Sequence, residues 1–320
     1  MTAQDINTPD ANASNINTPN TNTPNTNTPN IDTPDNIDQL IRYVNEQIEL
    51  LAFDDPAPDL LRQMVKGLSD PRQSIRLSLI EAFGQIGEPA TPFLLDGLAN
   101  QSETQVRKTC CHALSNIGDP LAVSGLAQAL QNDPDIVVKG AAASALAKIG
   151  APAFEPLRKV LASSTVEESC KGQAAWAIAS MSSEISQQLY EAMADPSPTV
   201  RTAVVGAIAQ LARKNQDVNA PKALRQALSD PSSEVRIEAA ADLARLNVKE
   251  AYQSLIDLLA DTDAGVRQAS ILALEKYNRA DTIAAIAPLT KDPSPQVQRV
   301  ANLVINKLQA QRPHPDETGR

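Results

Sequence analysis

A segment of about 31 residues recurs eight times in this sequence, and this repeat restricts the fold more than any other feature. Each copy contains Asp-Pro or a degenerate form of it, a short gap, an aliphatic residue and a cation, as in Asp230-Pro231…Val235-Arg236. Self-similarity at this period is typical of solenoids, in which each unit packs only against its neighbours. The cation positions of the eight copies are Arg76, Arg107, Lys139, Lys171, Arg201, Arg236, Arg267 and, as a departure, Gln298.

The pattern inside each copy predicts a pair of helices. Counted from the cation position, apolar residues fall mainly at −1, +3, +6, +7 and +10, which is the stripe of an amphipathic helix. Position +6 is Ala in six copies, so neighbouring helices can approach closely, whereas Asp242 interrupts this rule. Gly150 suits a helix C-terminal cap and Pro152 the start of the next helix. We therefore predict an all-α, right-handed α-solenoid of about eight helix pairs.

The ends of the chain differ from the repeats in composition. Residues 1–36 consist mostly of Thr-Pro pairs and Asn, with almost no apolar side chains, and are predicted to form a disordered tail. Residues 37–56 are predicted to form an N-terminal capping helix, residues 57–311 the solenoid and residues 312–320 a polar C-terminal tail.

Charge and composition exclude several classes of protein. A net charge of −10 argues against non-specific binding to nucleic acid. No apolar run is long enough to span a membrane, and a secretory signal is not expected, because the first residues contain no basic or apolar stretch. With only three cysteines, a disulfide framework is not expected. We expect the protein in a reducing compartment, the cytoplasm.

The repeat resembles HEAT-like repeats, and its short, Ala-rich form is similar to the cyanobacterial phycobilin (phycocyanobilin) lyases of the E/F type and their relatives. The segment from Lys171 to Ala177, KGQAAWA, looks like the small-residue–Trp stretch of that group. The resemblance implies a bilin as ligand, chromophore attachment or turnover in the phycobilisome, a phycobiliprotein subunit as partner and a heterodimer with a second HEAT-repeat protein. The alternative is a non-enzymatic HEAT-repeat adaptor that binds an assembly factor, for example in iron–sulfur cluster assembly. Catalytic di-iron HEAT enzymes need repeated His-Glu pairs, and neither His112 nor His314 precedes Glu.

Candidate site residues lie outside the apolar stripe, on the face that the second helices turn toward a groove. The +5 positions of the first four copies include Glu81, His112 and Trp176. For a bound bilin, Trp176 would stack on the conjugated face, His112 or Glu81 would transfer a proton, and Lys148 would bind a propionate. Further groove residues are predicted at Asn116, Gln173 and Arg245.

The sequence predicts structural roles for the seven repeat cations and for two of the three cysteines. The seven cations from Arg76 to Arg267 are expected to pair with turn aspartates of the same or adjacent repeat and so form a ladder. Asp242 is expected to pair with Arg236 or Arg245, or to mark a local opening. Cys110 and Cys170 lie on the apolar stripe.

One cysteine lies at the edge of that stripe. Cys111 is adjacent to His112, which leaves iron or an iron–sulfur cluster at Cys110 or Cys111 as an alternative. Neighbouring residues on a helix point about 100° apart, so no metal site is predicted.

Overall fold

The computed structural model describes residues 34–50, 56–215 and 217–311, and in these ranges it contains seventeen α-helices and no strand. The predicted tails lie outside the described residues, except that α1 begins at Pro34. The helices are α1 Pro34–Glu49, α2 Pro58–Gly67, α3 Gln73–Ile86, α4 Thr91–Asn100, α5 Thr104–Ile117, α6 Val123–Asn132, α7 Ile136–Ile149, α8 Phe154–Ala162, α9 Glu168–Ser180, α10 Ser186–Ala192, α11 Pro198–Asn215, α12 Ala220–Ala227, α13 Ser233–Arg245, α14 Tyr252–Asp257, α15 Ala264–Tyr277, α16 Thr282–Ile286 and α17 Pro295–Ala310.

After α1, the helices form eight consecutive pairs, from α2–α3 to α16–α17. The odd-numbered helices from α1 to α17 pack in sequence against one another and make one continuous layer. The even-numbered helices pack behind them, and α2, α4, α6 and α8 also contact one another in order. This arrangement confirms the all-α solenoid of about eight helix pairs. None of the described helices is both long and apolar enough to cross a bilayer.

The helices form where the repeat places its apolar stripe and end where it places glycine. In α7, Val138, Ala145 and Leu146 are fully buried between neighbouring helices. Truncation of such a leucine to alanine typically costs about 2–5 kcal/mol. Gly118 ends α5 with φ of +75°, and Gly150 ends α7 with φ of +82°, a region that side-chain-bearing residues rarely adopt.

Arginines that are buried or partly buried join successive repeats along the turns, and we call this set the arginine ladder. In the example of Arg201, Nε and Nη2 donate to the Asp230 carboxylate of the next repeat at 2.8 and 2.7 Å. Nη1 of Arg201 donates to the carbonyls of Asp195 and Pro196 in its own turn at 2.8 and 3.2 Å. The same bidentate pairing joins Arg107 to Asp133, Arg236 to Asp261 and Arg267 to Asp292.

The other three predicted cations have different partners. Arg76 bonds to the carbonyls of its own turn, because the next turn carries Gln101 where an aspartate would accept. Lys139 lies 3.4 Å from Glu167, since residues 163–167 of the next turn contain no aspartate. The expectation that Arg76 and Lys139 pair with the carboxylate of a turn aspartate is therefore wrong.

Lys171 also departs from the expected pairing. Its Nζ lies 2.7 Å from Glu168, one turn earlier on α9. The turn aspartate that would pair with it, Asp195, is bonded at 2.6 Å by Arg158 of α8, which also binds Glu155. The ladder is thus interrupted between its N-terminal and C-terminal parts, at the helix that carries Lys171.

Both ends of the arginine ladder are closed locally. Asp70 has no preceding repeat, and Arg72 binds it through Nε and Nη2, each at 3.0 Å. At the far end, Gln298 replaces the cation and donates to the carbonyl of Asp292 at 2.7 Å.

Candidate functional site

An open groove of about 650 Å³ crosses the face formed by α9, α11 and α13, and we call it the Trp176 groove. On α9, Trp176 stands at one wall with 53% of its surface exposed. On α11, the central helix, the groove is lined by Gly206, Ala203 and Thr202, which are small and leave the space open. An exposed indole beside such a space is a typical contact surface for a flat apolar ligand.

Charged side chains stand at the rim of the Trp176 groove. Lys171 and its partner Glu168 lie on α9, Arg213 on α11, and Arg245 on α13. The Arg245 Nη2 lies 3.6 Å from the Glu238 Oε1, and the guanidinium is about half exposed. Three cations and four carboxylates (Glu168, Glu234, Glu238 and Asp242) thus line the groove, so an anionic ligand would compete with these carboxylates for the cations.

Asp242 lies at the floor of this groove and is only 1% exposed. Its Oδ1 lies 3.3 Å from Nη1 of Arg245, whereas Oδ2 has no hydrogen-bond partner. Burial, followed by the charge of Glu238, raises the pKa of Asp242 to about 7, and the charges of Arg245 and Arg213 act in the opposite direction. Arg236, the other expected partner, belongs to the arginine ladder.

The comparison with known proteins identifies the repeat. The sequence profile of HEAT repeats matches residues 57–147, 91–179 and 220–306, and a single HEAT repeat matches residues 185–214. The chain belongs to the HEAT-repeat family. It is also 32% identical, over 257 residues, to the bilin biosynthesis protein MpeU of Synechococcus sp. (strain WH8020). The match covers 79% of this HEAT-repeat protein and 86% of MpeU, and confirms the resemblance to the bilin-lyase group.

Solved structures give a looser likeness. Human deoxyhypusine hydroxylase aligns with 87% of this chain and 100% of its own at 19% identity and a TM-score of 0.35. The complex of CpcE and CpcF of phycocyanin lyase from Nostoc sp. PCC7120 aligns over 80% and 97% at 18% identity and a TM-score of 0.31. At these scores the likenesses carry no weight for function.

The HEAT repeats place the two predicted catalytic residues away from Trp176. Glu81 is exposed on α3 and lines a separate cavity of about 240 Å³ together with Glu49. His112 is exposed on α5, and burial of part of its ring, followed by the charge of Lys108, lowers its pKa. Neither side chain lines the Trp176 groove. At the usual helix spacing of about 8–10 Å, α5 lies two helices away from α9.

The remaining predicted groove residues are spread over several helices. Trp176 and Arg245 line the same groove, whereas Asn116, Lys148 and Gln173 do not. Asn116 of α5 donates through Nδ2 to the carbonyl of Ile80 on α3 at 3.3 Å, and so links two repeats. Lys148 is exposed on α7, and Gln173 is partly buried on α9.

The three cysteines are buried as free thiols. Burial raises the pKa of Cys110 well above its usual range and that of Cys111 to about 12, so both thiols stay protonated at neutral pH. Cys111, expected at the edge of the stripe, is fully buried. In the part of the chain that the structure describes, no three His, Cys, Asp or Glu side chains come close enough together to hold a metal ion.

An apolar groove of about 510 Å³ adjoins the Trp176 groove, between α13 and α15. Ile237, Ala241 and Leu272 line it, and Arg245 is shared by both grooves. Leu272 and, one helix further, Leu303 are 42% and 62% exposed. Trp176, Leu272 and Leu303 all occupy position +5 of their repeats. This line of exposed side chains therefore continues from Trp176 as an apolar surface toward the C-terminal end.

Proposed function

We propose that this HEAT-repeat protein binds a bilin, with phycocyanobilin as the first one to test, in the Trp176 groove and acts on phycobiliproteins as a bilin lyase-like protein. The observation that carries the proposal is the exposed indole of Trp176 beside three rim cations in a groove of about 650 Å³. A linear tetrapyrrole has a flat conjugated face and two propionates, which need an aromatic surface and cations. The similarity to MpeU, a bilin biosynthesis protein, supports a bilin as the substrate class.

Two of the rim cations can each bind one of the two propionates. Lys171 lies on α9 with Trp176, and Arg245 lies on α13 at the opposite wall. Each is already paired with a carboxylate, so a propionate would exchange with Glu168 or Glu238 rather than enter an empty site. Lys148 would reach only a ligand that extends beyond the groove toward α7.

Attachment of the bilin requires a thiol from another chain. Cys110, Cys111 and Cys170 are all fully buried, so they cannot bind the chromophore covalently in the folded protein. In the reaction that we propose, a cysteine of the phycobiliprotein adds across a double bond of the bound bilin. A carbon–sulfur bond forms, the thiol proton moves to carbon and nothing is released. A second HEAT-repeat protein would complete the working heterodimer.

Titration with phycocyanobilin, followed by its visible absorbance, tests the binding step. The wild-type protein is expected to shift the absorbance with saturation in the micromolar range. Trp176→Ala should weaken binding by about tenfold, because an aromatic contact is worth about 1–1.5 kcal/mol. Leu303→Ala is the matched control, since Leu303 is also exposed but lies outside the groove. An unchanged spectrum with the wild-type protein would contradict the proposal.

The second candidate is a non-enzymatic adaptor that binds a protein partner. The apolar groove between α13 and α15, with Leu272 exposed at its edge, favours this function. Binding of a bilin-free phycobiliprotein subunit, measured by calorimetry, should then be reduced in Leu272→Asp and unaffected in Trp176→Ala. The opposite pattern would contradict the adaptor.

A further inference from the structure

The carboxyl group of Asp242 is placed unlike any other side chain in the repeats. It occupies position +6, where six other copies bury an alanine and the last buries Val304. The side chain is 1% exposed, lines the Trp176 groove and leaves Oδ2 without a hydrogen-bond partner. Asp242 therefore presents a carboxyl oxygen to the groove, with the Glu238 side chain as its neighbour.

The charged groups around Asp242 allow both of its protonation states. Glu238, one turn earlier on α13, disfavours a second negative charge, whereas Arg245 and Arg213 of α11 favour it. From α15, Lys276 lines the adjoining groove beside Arg245 and does not line that of Asp242. Burial is the largest effect, and together with Glu238 it raises the pKa of Asp242 to about 7. At neutral pH, Asp242 can thus either give or accept a proton.

We propose that Asp242 is the proton-transfer residue of the Trp176 groove and serves a conjugated ligand that contains a weakly basic ring nitrogen. Its O–H bond breaks, an N–H bond forms on the ligand, and no atom is oxidised or reduced. The resulting carboxylate stays as the acceptor of the new N–H, and Arg245 at 3.3 Å balances its charge. The inference rests on the proposed function, since bilins carry such a nitrogen between their pyrrole rings. It gives Asp242 the role that the sequence pattern assigned to Glu81 or His112.

A pH titration of the chromophore in the presence of the protein tests this assignment. Phycocyanobilin is mixed with wild-type protein, Asp242→Asn or Glu81→Gln, and the visible spectrum is recorded from pH 5 to pH 9. In the wild type, the carboxylate of Asp242 stabilises the protonated chromophore. In Asp242→Asn that carboxylate is missing, so the spectral transition should move to lower pH by at least one unit, a tenfold loss of proton affinity. Glu81→Gln removes a carboxyl group outside the groove and should titrate like the wild type.

The possible results separate the two proposals. If the wild type binds phycocyanobilin and Asp242→Asn titrates identically, Asp242 does not transfer the proton and the binding function stands. If the wild type leaves the spectrum unchanged at every pH, the binding function fails and this inference fails with it. Asp242→Ala guards against misfolding, because Ala is the residue that the other repeats carry at this position. It should reproduce the shift of Asp242→Asn while the far-ultraviolet circular dichroism matches that of the wild type.

Discussion

Replacement of Asp242 by alanine is expected to stabilise the free protein, and the gain should grow as the pH rises from about 4 to 7. The pKa of Asp242 rises from 3.8 to about 7 on folding, because burial penalises its charged form. Well below pH 3.8 the carboxyl group is protonated in both the folded and the unfolded state, so its ionisation does not affect stability. As the pH rises toward 7, the unfolded chain loses its proton first, so the folded state becomes less stable by up to ~4 kcal/mol. Asp242→Ala removes this cost.

Thermal unfolding followed by circular dichroism at pH 4.5 and pH 8 measures the effect. At about 2 °C per kcal/mol for a chain of this size, the variant should gain roughly 8 °C in Tm at pH 8 and about 2 °C at pH 4.5. Glu81→Ala removes an exposed carboxyl group and should change Tm by less than about 1 °C at either pH. An equal gain at both pH values, or a wild type more stable than Asp242→Ala at pH 8, would refute the reasoning.

Other parts of the fold lead to further expectations. Burial alone would raise the pKa of Asp230, but the hydrogen bonds that it accepts from Arg201 and from a backbone amide hold this pKa below 3.8. The stability that the Arg201–Asp230 pair contributes should therefore persist above pH 3.8 and be lost as the pH falls below that value. Arg201→Lys should cost about 2 kcal/mol in a urea titration, and an unchanged midpoint would count against the ladder. Cys111, with its raised pKa, should resist iodoacetamide at pH 8 until the protein is unfolded, as mass spectrometry can show. Gly150→Ala should lower stability by about 1–3 kcal/mol because of its positive φ, whereas Gly172→Ala, in an open helical position, should raise it by up to about 1 kcal/mol; similar melting curves would contradict both.

The repeat predicted the helices because burial follows the same stripe in every copy. Of the predicted groove residues, Trp176 and Arg245 line the groove, whereas Asn116, Lys148 and Gln173 lie outside it. The repeat did not predict that Asp242 lies at the floor of the groove. Position +6 is a packing position in the other repeats, whereas Asp242, although buried, lines the groove beside the small residues of α11. The signals were present in the sequence: a carboxyl group at an alanine position, and the longest step, 35 residues, directly before it.

The partners in the ladder were predictable only in part. An arginine followed one repeat later by a turn aspartate pairs with it, and Gln101 shows in the sequence why Arg76 lacks such a partner. Asp195 is different, because Arg158 of α8 takes the place that Lys171 was expected to fill. Arg158 lies outside the repeated pattern, so only the three-dimensional packing of α8 brings it to this turn.

The closed ends of the arginine ladder act as chain terminators in the polymer sense. In the C-terminal part of the solenoid, the units of Arg201, Arg236 and Arg267 each supply one guanidinium ahead and one carboxylate behind, so such units could in principle add head to tail. At the first unit Asp70 is already occupied by Arg72, and at the last unit Gln298 brings no charge. A second copy of the protein stacked on either end would therefore meet none of the ionic links that join units within the chain. Head-to-tail stacking of copies would therefore gain nothing from the ionic links of the arginine ladder.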